Sequence, residues 1–191
     1  MAVPALVDVD KPALHKAAVS GNAYLALNAA AVGIAIPIYS NTAQTMGIWN
    51  KSTSKYISII DLAVSSYSTG PLAIGGIGFA LVNAGIGLGT PISASVAIPN
   101  CYNLKDFTAA NSADFLWCSA TVVAPTIFIP SGIFSPGVYA VTTATSPALL
   151  QCTRQYDGRL VVPPGVALFI SGSVAQTHVM NVALTFEVIA A

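Results

Sequence analysis

The chain has 191 residues, of which 54% are hydrophobic and only 7% are charged, and seven Lys and Arg balance seven Asp and Glu to give a formal net charge of zero. This length suits a single domain, but a typical soluble domain is about 25% charged, and a largely neutral surface favours coverage by other protein surfaces over a free monomer. The seven basic residues are spread along the chain rather than clustered, which argues against nucleic-acid binding.

Residues 1–20 predict an N-terminal arm. They hold four of the charged residues and two prolines, and they read as extended chain with a helical turn around residues 13–19. The segment lacks a basic start, and aspartates interrupt its apolar stretch, so we do not interpret it as a secretory signal. The protein is therefore expected to stay where it is made, unless it leaves inside an assembly. The apolar side chains of the arm are the candidate partner contacts: Val3, Leu6, Val7 and Leu14.

From residue 21 onward, short apolar runs alternate with turn residues, the spacing typical of a β-sandwich or barrel. Residues 24–38 are predicted to be mainly strand, because isoleucines alternate in the second half and a proline disfavours a helix there. A polar segment at residues 49–55 indicates a hairpin or a corner. The apolar run that follows, residues 56–64, is typical of a strand buried on both faces.

The second half of the chain contains the clearest strand patterns. Residues 72–89 are apolar and rich in glycine, which fits either a pair of strands or a buried loop. Residues 92–98 alternate apolar and small polar side chains, as an amphipathic strand does. Residues 160–171 read as strand, tight turn and strand, with Pro163, Pro164 and Gly165 in the turn.

The last strand has the strictest period of two. In residues 180–189, Val182, Leu184 and Phe186 are expected on a buried face, with Ala183 and Thr185 facing the other way. The four long charge-free stretches of the chain are each broken by Pro, Gly or polar residues, so no membrane-spanning helix is predicted.

The inventory of reactive side chains argues against an enzyme. General acid–base catalysis and metal binding draw on His, Asp, Glu, Lys and Cys, whereas this chain has two His and one Glu. His15 and His178 are both expected to be ordinary solvated or hydrogen-bonded histidines. Asp106 and Asp114 flank a polar loop, for which a surface turn is favoured over a cation site. The sequence therefore predicts no catalytic residue, no cofactor and no metal site.

The three cysteines are expected to be reduced thiols. Cys101, Cys118 and Cys152 are odd in number and lack metal-ligand spacing. The sequence Asn50-Lys51-Ser52 matches a glycosylation sequon, which we expect to be unused without a secretory signal.

Two segments near the C-terminus carry a family resemblance. Gly158-Arg159-Leu160-Val161-Val162-Pro163-Pro164-Gly165-Val166-Ala167-Leu168-Phe169-Ile170, followed by Val182-Ala183-Leu184-Thr185-Phe186-Glu187-Val188, resembles small bacteriophage virion proteins. In these proteins a strand–Pro-Pro-Gly–strand hairpin precedes a final strand that ends near an acidic residue. The resemblance implies a jelly-roll-like sandwich on the virion, often trimeric, as a head decoration or a fibre-like component.

Together these observations predict an all-β protein, a jelly-roll-like antiparallel β-sandwich of residues 21–191 with an extended arm, residues 1–20. The expected function is that of a non-enzymatic capsid decoration or cement protein of a phage head, assembled in the host cytoplasm. Its partners are other virion proteins and its own copies in a homo-oligomer, for which the resemblance implies a trimer. The alternative is a tail or fibre component that binds a receptor or glycan through exposed aromatic residues: Tyr102, Phe107, Trp117 and Tyr156.

Overall fold

The computed structural model describes residues 13–28, 33–36, 46–66, 76–83, 100–109, 114–118, 129–134, 151–173 and 179–190. These ranges exclude residues 1–12 of the predicted arm and the predicted strand at residues 92–98. For Cys118 and Cys152 the structure describes the backbone but not the side chain. Within the described ranges, one helix, α1 (Ala13–Ser20), precedes eleven strands. These are β1 (Ala23–Leu27), β2 (Ile34–Ala35), β3 (Gly47–Asn50), β4 (Lys55–Ser66), β5 (Ile77–Asn83), β6 (Cys101–Asn103), β7 (Phe115–Cys118), β8 (Ile129–Phe134), β9 (Gln151–Val162), β10 (Val166–Gly172) and β11 (Val179–Ala190).

The strands form two antiparallel sheets, which confirms the prediction of an all-β sandwich. Sheet A has the order β6-β1-β11-β4-β9, with β2 also paired to β11, and sheet B has the order β7-β3-β10-β5-β8. One apolar core lies between the sheets and takes side chains from both. Sheet A contributes Ile59, Leu62, Leu184 and Phe186 among others, and sheet B contributes Ile48, Phe79, Trp117 and Leu168 among others. Burial of this shared face is the main source of stability in such a fold.

The last strand follows its predicted alternation. Val182, Leu184 and Phe186 are at most 2% exposed and belong to the core between the sheets. Ala183 is half-buried on the opposite face, and the hydroxyl of Thr185 donates a hydrogen bond to Asp61 Oδ1 (3.0 Å). The period of two therefore identified the core face of β11, the strand that pairs with both β1 and β4.

The Pro-Pro-Gly segment forms a turn, but the hairpin implied by the resemblance is wrong. The turn is closed by Val166 N–H, which donates to Pro163 O (3.2 Å), and Gly165 has the positive φ of 78° that its position requires. However, β9 pairs with β4 in sheet A, whereas β10 pairs with β3 and β5 in sheet B. The turn is thus a corner by which the chain passes from one sheet to the other.

The polar segment after β3 is a second corner, one of the two outcomes left open by the sequence. It carries the chain from β3 in sheet B to β4 in sheet A. Asn50, only 1% exposed, joins the two corners. Its side-chain amide donates to Val162 O and to Lys55 O (both 2.9 Å), and its backbone carbonyl accepts from Gly165 N–H (2.9 Å). Both donor hydrogens of the Asn50 amide are thereby occupied, so the sequon is closed to modification in the folded protein.

The continuous apolar run of residues 56–64 has a different cause from the one expected. Strand β4 lies inside sheet A, and a bulge interrupts its pairing between Ile59 and Asp61. Ile60 is the extra residue of this bulge. Ile59 and Leu62 both point into the core, so Ile60 and Asp61 both lie on the outer face. A bulge of this kind breaks the alternation locally, and the outer face of β4 is only partly covered.

Helix α1 packs on the outer face of sheet A, beside β1. Among residues 14–20, whose burial is described, only Ala17 is buried, at 8% exposure, while Val19 is 60% exposed. Gly21, with a φ of 82°, ends the helix, and its N–H donates to Ala18 O (3.0 Å). Residues 13–20 of the predicted arm are therefore helical rather than extended, in agreement with the helical turn expected around residues 13–19.

Candidate functional site

The predicted partner-contact residues fall in two groups. Val3, Leu6 and Val7 lie outside the described residues. Leu14 is half-buried on α1, where it lines a groove on the outer face of sheet A. The structure therefore places Leu14 against its own chain.

The groove beside Leu14 has a volume of about 350 Å³. Its floor is created by the bulge of β4. On the β9 side, the single residue Ile60 faces four residues, 156–159, because Ile59 pairs with Leu160 and Asp61 pairs with Gln155. Besides Leu14 and Ile60, the residues that line the groove are Asp61, Gln155, Asp157, Gly158 and Glu187. Three of the seven acidic residues of the chain thus lie around one depression, and the lining contributed by the described residues contains no Lys or Arg.

Asp61 is the half-buried carboxyl of this groove. Burial raises its pKa above the ordinary 3.8, while the hydrogen bond from Thr185 opposes that shift.

The raised pKa of Asp61 predicts how stability depends on pH. A carboxyl whose pKa is higher in the folded than in the unfolded state stabilises the folded state at low pH. This contribution is fully present below the unfolded-state pKa and is lost as pH rises through the folded-state pKa. We therefore expect Asp61→Asn, which keeps an oxygen for the Thr185 hydroxyl, to raise the thermal midpoint at pH 7 more than at pH 4. Scanning calorimetry at the two pH values measures this difference. A lowered midpoint at pH 7 would contradict the prediction.

The polar loop between β6 and β7 does not bring its two acidic residues to one ion. Asp106 Oδ1 accepts hydrogen bonds from Thr108 N–H (3.0 Å) and Thr108 Oγ1 (2.7 Å), which lowers the pKa of Asp106. Asp114 instead pairs with Lys55 Nζ (2.8 Å), which raises the pKa of Lys55. Across the described ranges no group of three His, Cys, Asp or Glu side chains could hold a metal ion. His15 is exposed on α1, and His178 lies outside those ranges.

The four aromatic residues considered for glycan binding occupy different environments. Trp117 is fully buried and Tyr156 is 7% exposed, and both belong to the core. Burial raises the pKa of Tyr156 to about 12, and its ring lies 5.4 Å from that of Phe79. Tyr102 is half-buried on β6, whereas Phe107 is 67% exposed. These residues therefore do not form one aromatic platform.

Cys101 is a free, fully buried thiol in β6. Burial raises its pKa to about 12, so very little of the reactive thiolate exists at pH 8. We expect iodoacetamide to leave Cys101 unmodified in the native protein, and to alkylate all three cysteines once the chain is denatured without reductant. Intact mass and peptide mapping measure both states. Fewer than three alkylated sites after denaturation would contradict the predicted reduced state.

The groove is not among the features predicted from the sequence. Its signal was present in Ile59-Ile60-Asp61, where two consecutive large apolar residues followed by a carboxylate interrupt the alternation of a strand. The same pattern also fits a strand that is buried on both faces, which is the structure predicted above for residues 56–64.

Comparison with known proteins finds no family model that matches this chain, and no matching curated protein or solved structure. Among the helices of the described residues, none is long and apolar enough to cross a membrane.

Proposed function

We propose that this chain is a non-enzymatic structural protein of a bacteriophage virion, a capsid decoration or cement protein that stabilises the head. The proposal is supported by the polar side chains, which bind other groups of the same chain and thereby stabilise the fold. In the described part of the chain, Asn50 joins the two sheet corners, Asp106 closes a turn, and Asp114 pairs with Lys55. These groups hold the fold together and do not converge on a reactive centre, which is the arrangement of a building element.

A neutral sandwich is suited to such a role. Only 7% of the residues are charged. A neighbouring protein can therefore cover most of the surface without burying an unpaired charge, which would be costly. A protein that binds only the assembled shell stabilises that shell by mass action. A jelly-roll arrangement of the sandwich, location in the virion and assembly in the host cytoplasm belong to this proposal and follow from the resemblance of the C-terminal strands.

The second candidate is a tail or fibre component that binds a receptor or glycan. The exposure of Phe107 favours it, because an exposed aromatic ring can stack on a sugar. The burial of Trp117 and Tyr156 counts against it, since of the four aromatic residues considered only Phe107 and the half-buried Tyr102 remain accessible. We therefore favour the head protein.

Quantitative mass spectrometry of purified particles from the source of this sequence tests the proposal. A head decoration protein should be present in hundreds of copies per particle. A few tens of copies or fewer would favour the tail or fibre candidate. Absence from the particles would overturn both.

We expect the free protein to be a homo-oligomer, with a trimer implied by the resemblance, joined by neutral and largely apolar contacts. Closed symmetry covers such patches without leaving them free to propagate. Because screening acts on charges, raising the salt from 50 mM to 1 M should leave the oligomer intact. Light scattering coupled to size exclusion at both salt concentrations measures this. A stable monomer, or an oligomer that dissociates at high salt, would contradict the prediction.

A further inference from the structure

Helix α1 is held on the outer face of sheet A by few contacts. Among residues 14–20, Ala17 is buried, Leu14 is half-buried beside the groove, and Val19 is 60% exposed. In the described part of the chain, no side chain of these residues hydrogen-bonds to either sheet, and Ser20 Oγ donates to Ala17 O within the helix itself (2.9 Å). An element with so little buried apolar surface and so few bonds has a low local stability.

The C-terminal end of α1 is, by contrast, fixed to the sandwich. Asn103 Nδ2 donates to Gly21 O (2.8 Å), and Val188 N–H donates to Asn22 O (2.9 Å). These bonds lie after the helix, so α1 can leave the sheet by rotation about Gly21 while β1, which begins at Ala23, stays paired with β11. A helix of eight residues is not stable alone in water, so α1 unfolds once it has left the sheet.

Asp61 lies in the groove that Leu14 lines, and its charge is not compensated there. Burial raises the pKa of Asp61, while the hydrogen bond from Thr185 opposes that shift. The other charged side chains of the described lining are Asp157 of β9 and Glu187 of β11, and both are acidic. Ionisation of Asp61 is therefore disfavoured for as long as α1 covers the groove.

The cationic groups of the neighbouring elements lie outside the described lining of this groove. Lys16 of α1 lines a second groove, between the helix and the end of β11, together with Glu187, and no ion pair joins the two. His15 is exposed on α1, and Arg154 and Arg159 of β9 are not among the lining residues. Water, which reaches the groove when α1 leaves, is thus the main source of stabilisation for the ionised Asp61.

We propose that α1 is a strap that opens from the outer face of sheet A about Gly21 while the sandwich stays folded, and that the negative charge of Asp61 favours the open state. Opening uncovers Ile60 in the groove and Ala23, which is fully buried on the outer face of β1. The closed groove binds the proton of Asp61 more tightly than the open one, so the open fraction rises as pH rises through the pKa of Asp61 in the closed state. This inference does not depend on the virion role proposed above.

Hydrogen exchange measured by mass spectrometry on the full chain tests the strap. Exchange of residues 17–22 at pH 4 and pH 7 is compared with that of β4, after correction for the chemical exchange rate at each pH. The amides of α1 should be protected roughly a hundredfold less than those of β4. Their opening constant should be roughly threefold larger at pH 7 than at pH 4, and Asp61→Asn should remove this pH dependence.

Three further variants separate the strap from a merely frayed helix. Leu14→Ala removes a contact of the closed state and should increase opening at both pH values, with the protection of β4 unchanged. Val19→Thr is the matched control at an exposed residue of the same helix, and it should leave opening unchanged. His15→Gln should keep the pH dependence, which separates the charge of His15 from that of Asp61.

Four results would each overturn the proposal. The first is protection of the α1 amides equal to that of β4, and the second is no protection of these amides at either pH. The third is an opening constant that is the same at both pH values or larger at pH 4. The fourth is a pH dependence that survives in Asp61→Asn or disappears in His15→Gln.

Discussion

Phe186→Ala is expected to lower the free energy of unfolding by about 3–5 kcal/mol, because it removes a fully buried ring from the core and leaves a cavity. Phe186 is 0% exposed and lies on β11, inside sheet A. Its ring stacks on Tyr24 at 5.3 Å and meets Phe115 of sheet B edge-on at 5.2 Å. The ring centroids of Tyr24 and Phe115 are 4.9 Å apart in an edge contact. The three rings therefore pack against one another across the interface between the two sheets.

Chemical denaturation followed by tryptophan fluorescence measures this loss. Phe186→Leu retains most of the side-chain volume and should cost less than about 1.5 kcal/mol. Ile189→Ala on the same strand, at a residue 37% exposed, should cost less than about 1 kcal/mol and serves as the matched control. A loss below about 1 kcal/mol for Phe186→Ala would refute the assignment of this ring to a packed core.

The core face of β11 could be predicted because it depends on local sequence alone. A strand with one face on the core must alternate, and Val182, Leu184 and Phe186 record that alternation directly. The same reasoning failed at Ile60, because a bulge moves every later side chain by one place relative to a regular strand. The pattern of a bulged strand and that of a strand buried on both faces are similar over so short a run.

Pairing between distant strands could not be read from the turn residues. A Pro-Pro-Gly turn reverses or bends the chain in the same manner whether the flanking strands join one sheet or two. The difference lies in the partners of β10, which are Gly47–Trp49 and residues 77–83, far away in the sequence. Local turn chemistry contains no information about them.

The candidate interaction residues were predictable only in part. Phe107 and Tyr156 are both aromatic residues in polar sequence surroundings, and only the structure shows that Tyr156 is turned inward by the irregular segment of β9 while Phe107 remains outside. Asp157 and Gly158 both have positive φ values in that segment, 49° and 74°. A change of this kind in backbone direction redirects a side chain without a marked signal in composition.

Asn50→Ala is expected to lower the free energy of unfolding by about 3 kcal/mol or more, because the buried carbonyl of Val162 and the partly buried carbonyl of Lys55 lose their hydrogen-bond donor. Each buried polar group left unsatisfied costs about 1–3 kcal/mol, and the Asn50 amide serves both Val162 O and Lys55 O at 2.9 Å. Ser52 N–H also loses its acceptor, Asn50 Oδ1 at 3.1 Å. Since these contacts join the two corners, the substitution loosens both of these corners at once.

Two further substitutions make this prediction specific. Asn50→Asp keeps the size of the side chain and the acceptor for Ser52, but it turns a carboxylate oxygen toward two carbonyl oxygens, so it should be at least as destabilising as Asn50→Ala at pH 7. Asn103→Ala is the matched control, because this half-buried asparagine also bonds backbone groups, accepting from Lys105 N–H at an exposed turn and donating to Gly21 O, and its loss should cost about 1 kcal/mol. Equal losses for Asn50→Ala and Asn103→Ala in urea denaturation would show that Asn50 does not bind the corners together.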